Sequence, residues 1–204
     1  VGMVFAFSYT TTDGTWGRID STGGPGVVID AYCDGWGRVT NSAYTIGDVI
    51  GVIYNINYGP GGETERYVRN AAVCGGDVDG DGTFADWTRT TSSLWGGLGS
   101  HTSTCGTNAP NLYISEYIYE SVSGDNRIAV EIFNKTGAAV SKAGWSLLMF
   151  TADNAFTIIP LSAGTIANND VWVMVNTAAA GQTTQEDQTF ANSDDYRTVI
   201  LIKD

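Results

Sequence analysis

Asn111-Leu-Tyr-Ile-Ser-Glu-Tyr-Ile-Tyr119 and, one turn later, Arg127-Ile-Ala-Val-Glu-Ile-Phe-Asn134 decide the fold class. In the first run Leu112, Ile114, Glu116 and Ile118 alternate with Tyr113, Ser115 and Tyr117, a period of two that belongs to a strand. Ser123-Gly-Asp-Asn126 between the runs supplies the turn. Further runs follow at residues 144–151 (GWSLLMFT), 155–160, 171–176 and 197–203. Helical periodicity is nearly absent. Short strands at even spacing with turn residues between them predict an all-β chain and, over this half, a sandwich.

Upstream the pattern is less regular. Residues 26–32 (GVVIDAY) read as a strand, and residues 49–58 place Ile50, Val52, Tyr54, Ile56 and Tyr58 on one face. Gly59-Pro-Gly-Gly62 then turns the chain toward residues 63–73, the expected hairpin partner. From Gly75 to Pro110 the sequence is turn-rich. The shift at Gly106-Thr-Asn-Ala-Pro110 sets an expected boundary between an irregular β-rich domain, 1–108, and the sandwich, 109–204.

The second half also resembles a known family. Leu112-Tyr-Ile-Ser-Glu-Tyr117, Glu131-Ile-Phe-Asn-Lys-Thr-Gly137, Ala143-Gly-Trp-Ser-Leu147 and Leu161-Ser-Ala-Gly-Thr-Ile-Ala167 occur in order, followed by Asn169-Asp-Val-Trp-Val173 and a closing Asp194-Asp-Tyr196…Leu201-Ile-Lys-Asp204. This succession is similar to the lamin-tail domain of bacterial and archaeal secreted proteins. The resemblance implies an immunoglobulin-like β-sandwich serving as an accessory or interaction module, without catalytic residues. Such domains are often attached to extracellular nucleases. A nuclease needs a larger catalytic part with paired histidines, whereas His101 is the only histidine here, so the expectation is a non-enzyme.

Charge narrows the partners. Lys and Arg number 10 against 22 Asp and Glu, a net charge of −12. Nucleic-acid backbones and anionic membranes need clustered cations, so neither is an expected partner. No run approaches the roughly 18–20 apolar residues that span a bilayer, so membrane insertion is not expected. A start at Val1 reads as a mature product whose signal segment has been removed, and points to an extracellular or cell-surface location. Cys33, Cys74 and Cys105 show no CxxC spacing, so zinc and c-type haem are not expected. Three cysteines in a secreted chain leave one disulfide and one thiol over. Spacing does not fix the pairing; Cys74–Cys105 is favoured because it would close the Gly-rich segment between them.

Asp77-Val-Asp-Gly-Asp-Gly-Thr83 carries the sharpest chemistry. Carboxylates at alternate positions followed by Gly aim hard oxygens at one centre, as Ca²⁺ requires. Asp77, Asp79 and Asp81 supply carboxylates, and Thr83 offers its carbonyl. The acidic residue that an EF-hand wants at position twelve is replaced by Thr88, and Asp86 at position ten is the nearest substitute. A structural Ca²⁺ is the expected cofactor; a plain solvated acidic turn is the alternative.

His101, in Gly-Ser-His-Thr-Ser, is expected as an exposed loop residue. Trp16, Trp36, Trp87 and Trp95 suit core or subunit contacts, with a carbohydrate platform as the second reading. Asn134-Lys-Thr136 forms a glycosylation sequon at an expected turn. At the N-terminus Val1, Met3, Phe5, Phe7 and Tyr9 alternate with smaller residues and would line one side of a strand. Either this strand completes its own domain, or it is donated to a neighbouring copy. The expected function is an extracellular structural protein, the self-assembling subunit of a surface filament. The alternative is a monomeric secreted module binding carbohydrate or a surface protein.

Overall fold

A computed structural model describes residues 18–19, 28–31, 37–40, 45–50, 64–76, 86–122, 125–151, 156–191 and 196–203. The fold is all-β. In chain order the strands are β1 (Arg18–Ile19), β2 (Val28–Ala31), β3 (Gly37–Thr40), β4 (Thr45–Ile50), β5 (Thr64–Arg69), β6 (Trp87–Thr90), β7 (Tyr113–Val122) and β8 (Asp125–Phe133). They continue as β9 (Val140–Ser141), β10 (Trp145–Thr151), β11 (Phe156–Pro160), β12 (Thr165–Ile166), β13 (Val171–Asn176), β14 (Gln188–Phe190) and β15 (Tyr196–Lys203). Among the described residues no helix is long and apolar enough to cross a membrane.

Two sheets face each other across one core. The larger has the order β14-β13-β8-β7-β5-β6, antiparallel except for the β13–β14 pair. The smaller has the order β11-β10-β15-β4 and is antiparallel throughout. Leu112, Ile114, Tyr117, Ile128, Val130 and Ile132 of the first pack with Trp145, Leu147, Met149, Val199 and Leu201 of the second. β1, β2 and β3 form a separate three-stranded sheet, and β9 and β12 a two-stranded one.

The central strands of both sheets are buried on their outer sides as well. In the four-stranded sheet Leu148, Ile200 and Ile202 point away from the core cluster yet are only 3, 1 and 2 % exposed. This explains the unbroken apolar runs Leu147-Leu-Met149 and Val199-Ile-Leu-Ile202, because a strand covered on both faces has no polar parity. In the six-stranded sheet Ile118, Ala129, Val173 and Val175 form a second cluster beneath Leu94, Leu98 and Ala179.

Three expectations are revised. The alternation through residues 112–118 breaks at a β-bulge between Ile114 and Glu116. Ser115 is the extra residue, so Leu112, Ile114 and Tyr117 share the core face, and Glu116 and Ile118 take the other. The second revision concerns β5, which lies between β7 and β6. With both of its edges filled, it cannot also pair with residues 49–58 as a hairpin. Lastly, the boundary expected at 108–109 does not separate the sheets. β4 pairs with β15, and β5 pairs with β7, so strands from both sides of that point complete the same two layers. The expected subunit-contact residues Val1, Met3, Phe5, Phe7 and Tyr9 lie outside the described residues.

Candidate functional site

Two constructions concentrate polar chemistry, and the first is the frame around the acidic run. Asp77, Asp79, Asp81 and Thr83 lie outside the described residues, as does Cys33, but the chain on either side of the run is held. Cys74 and Cys105 form a disulfide, the pairing favoured from the sequence, with a Cα–Cα distance of 5.5 Å. The Ala71 carbonyl accepts from the Thr104 amide at 2.8 Å, doubling that cross-link. The buried Arg69 donates through Nε to the Ile114 carbonyl (2.8 Å) and through Nη1 to the Gly75 carbonyl (3.3 Å), with its guanidinium over the Trp87 ring. Beyond the run, the Asp86 carbonyl accepts from the Asn70 amide at 2.8 Å, and Thr88 Oγ1 bonds the Asn70 side chain. Gly75 and Asp86 are thus both tied to the end of β5. Among the described residues no three His, Cys, Asp or Glu side chains converge, so the calcium assignment rests on the motif and its clamped ends.

The second construction is a buried charge cluster on the outer face of the six-stranded sheet. The bulge at Ser115 sets Glu116 directly opposite Glu131, and they are 1 and 0 % exposed. Arg66 on β5 meets Glu116 bidentately, with Nε to Oε1 at 2.7 Å and Nη2 to Oε2 at 2.9 Å. Glu131 accepts from Ser115 Oγ (2.6 Å) and from the Gly99 amide (2.7 Å), with the Ser100 amide adding a further donor. Arg66 Nη1 reaches the Gly96 carbonyl at 2.6 Å. Residues 92–101 therefore cross the cluster and touch both its cation and one of its anions through backbone groups. On the core side of β5, Glu65 accepts from Tyr67 and Arg89.

The electrostatics follow from counting: two carboxylates share one guanidinium in a site with little water. Burial is the largest influence on both and outweighs the pull of Arg66, pushing Glu116 up to about 7; Glu131 is raised as well. A carboxyl whose folded value is raised contributes stability that is fully present below its unfolded value of 4.5. That contribution is lost as pH rises through about 7. Glu116 accepts two and Glu131 three hydrogen bonds from protein donors, so each carboxyl is held in place by the chain itself.

His101 is half-buried and not an exposed loop residue. Its ring meets Phe133 edge-on at 4.9 Å and Tyr113 at 6.2 Å. Burial, with the nearby Arg69 charge second, lowers it to about 4, so its contribution is intact above 6.5 and lost as pH falls through about 4. The histidine and the glutamates act with opposite sign across the same pH range.

Asn134 is a correction. It is 0 % exposed, and its amide donates to the Ala138 and Ile166 carbonyls, each at 2.8 Å. Its oxygen accepts from the Thr136 amide and hydroxyl. Both N–H bonds are spent on holding the turn, so the folded chain does not present Asn134 for glycosylation. Trp87 and Trp95 are partly buried against the two main apolar clusters, while Trp16 and Trp36 lie outside the described residues. Sequence reading missed Lys142, which is buried over the Trp172 ring. Desolvation lowers its pKa, and Asp187 opposes the shift. No family model, curated protein or solved structure matches this chain.

Proposed function

We propose that this chain is an extracellular structural protein, the self-assembling subunit of a surface filament, joined to its neighbours by N-terminal donor-strand exchange. The observation that carries this reading is the row Val1, Met3, Phe5, Phe7 and Tyr9, which must find an apolar slot. Support comes from the body to which the row is attached. The central strands of its two main sheets are buried on both faces, its buried glutamates are hydrogen-bonded within the chain, and a disulfide ties its loops. Within the reading, residues 109–204 supply most of an immunoglobulin-like sandwich of the lamin-tail type, completed by β4, β5 and β6.

Deleting residues 1–10 should leave a folded subunit that does not polymerise but binds an added peptide of the same sequence. Phe5→Asp with Phe7→Asp should do likewise, because two carboxylates would enter an apolar slot without partners. Negative-stain microscopy and size-exclusion chromatography read the result. A wild-type protein that stays monomeric at high concentration would end the filament reading and favour the secreted binding module.

Ca²⁺ in the 77–86 segment is part of the same proposal, as a structural ion held by Asp77, Asp79, Asp81, the Thr83 carbonyl and Asp86. Chelation should lower stability by about 2–3 kcal/mol if the ion is held near 100 times its dissociation constant. Asp79→Ala with Asp81→Ala should abolish that response. Identical melting curves with and without chelator would remove the ion from the account.

A further inference from the structure

We propose that residues 92–101 form a proton-linked strap, closed over the outer face of the six-stranded sheet while the Glu116–Glu131 pair holds a proton and loosened when both carboxylates ionise. The strap is fastened in two ways. Leu94 and Leu98 are buried against Ile118, Ala129, Val173, Val175 and Ala179. Its polar fastenings are the Gly96 carbonyl on Arg66 and the Gly99 and Ser100 amides on Glu131.

Glycine makes so close an approach feasible. Gly97 has φ +119°, and a Cβ there would collide with the Arg66 guanidinium. At Gly99, φ +93°, a Cβ would lie 2.7 Å from the Gln185 side chain. The strap backbone therefore sits directly on the charges and excludes water from them.

The charged and polar groups facing the pair come from every layer around it. β5 gives Arg66, β7 gives Ser115, and the strap gives its amides and carbonyl. Farther along the same sheet Glu120 pairs with Arg127, and Asp187 caps the Val173 amide. His101 ends the strap against Tyr113 and Phe133, and its depressed pKa keeps it neutral at pH 5 and above. Arg66 is thus the one cation in contact with the pair among the described residues.

The strap amides favour an ionised Glu131, but burial works harder against it, and the pair holds its proton more tightly under the strap than it would in water. By linkage, ionisation favours the hydrated, open arrangement, which would uncover the apolar row Ile118, Ala129, Val173 and Val175.

Amide hydrogen exchange on the full chain tests this. After correction for intrinsic chemistry, protection at Gly99 and Ser100 should fall between pH 5 and pH 7.5, by up to about tenfold per pH unit. Amides of the β8–β13 ladder should fall less. Glu131→Gln should flatten the slope, and Glu116→Gln, which keeps an acceptor for Arg66, should shift it to lower pH. The proposal fails if wild-type protection at Gly99 and Ser100 is independent of pH or follows the ladder amides. It fails equally if the slope persists unchanged in Glu116→Gln.

Discussion

Replacing Arg66 with alanine is expected to destabilise the protein by about 3–5 kcal/mol at pH 8, the usual loss when one partner of a buried ion pair is removed. The guanidinium is the cation that both buried carboxylates lean on, bonding Glu116 twice and the Gly96 carbonyl once. Without it Glu116 and Glu131 face each other across the bulge with no counter-charge in contact. Their answer is to bind protons. The mutation raises their folded values further, so its penalty grows as pH rises and shrinks as the unfolded chain also becomes protonated. Denaturant titrations should therefore show a much smaller loss at pH 5 than at pH 8. Adding Glu116→Gln should recover part of the alkaline loss. Equal losses at both pH values would mean that Arg66 acts through packing alone.

Removing the disulfide should have the next largest effect. Cys74 and Cys105 are 31 residues apart, a loop length for which chain entropy gives about 3–4 kcal/mol. That loop contains the acidic run, β6 and the strap, so Cys74→Ser frees all three in the unfolded chain at once. Cys74 is exposed, so a reductant acting on the wild type should reproduce the variant's denaturation midpoint. Unreduced mass spectrometry checks the bond itself. Coincident midpoints for oxidised and reduced protein would show that the bridge adds no net stability, its restriction of the unfolded chain being offset in the native state.

Short apolar runs bounded by turn residues made β8, β10, β13 and β15 readable from the sequence, and the favoured cysteine pairing is the one that the structure contains. Glu116 and Glu131 were not readable as a pair. Alternation puts Glu131, between Val130 and Ile132, on the solvent face and Glu116 in one row with Leu112, Ile114 and Ile118, and Ser115 does not announce itself as a bulge. A usable signal lay nearby: Ala129 and Phe133 share the parity of Glu131, and apolar residues on both parities mean that both faces are covered. The supposed boundary at 106–110 failed for a related reason. Gly, Thr, Asn and Pro mark a loop equally well whether it links two domains or runs back over a sheet, and Ala109 is buried against Tyr113 and Phe133. His101 was misjudged in the same way, since polar neighbours in sequence say little about the rings that a loop settles upon.

The order of strands in the smaller sheet also sets a timetable. β15 occupies the middle, between β10 and β4, and β4 is separated from it by about 150 residues of chain. At roughly 5–20 residues synthesised per second, β4 waits on the order of ten seconds or more for its partner. Strand pairing itself takes only about 1–10 microseconds for a hairpin. The time during which the edge of β4 stays open to mispairing is therefore set by the pace of translation, and slowing translation downstream of residue 50 should raise the misfolded fraction before any native contact has been altered.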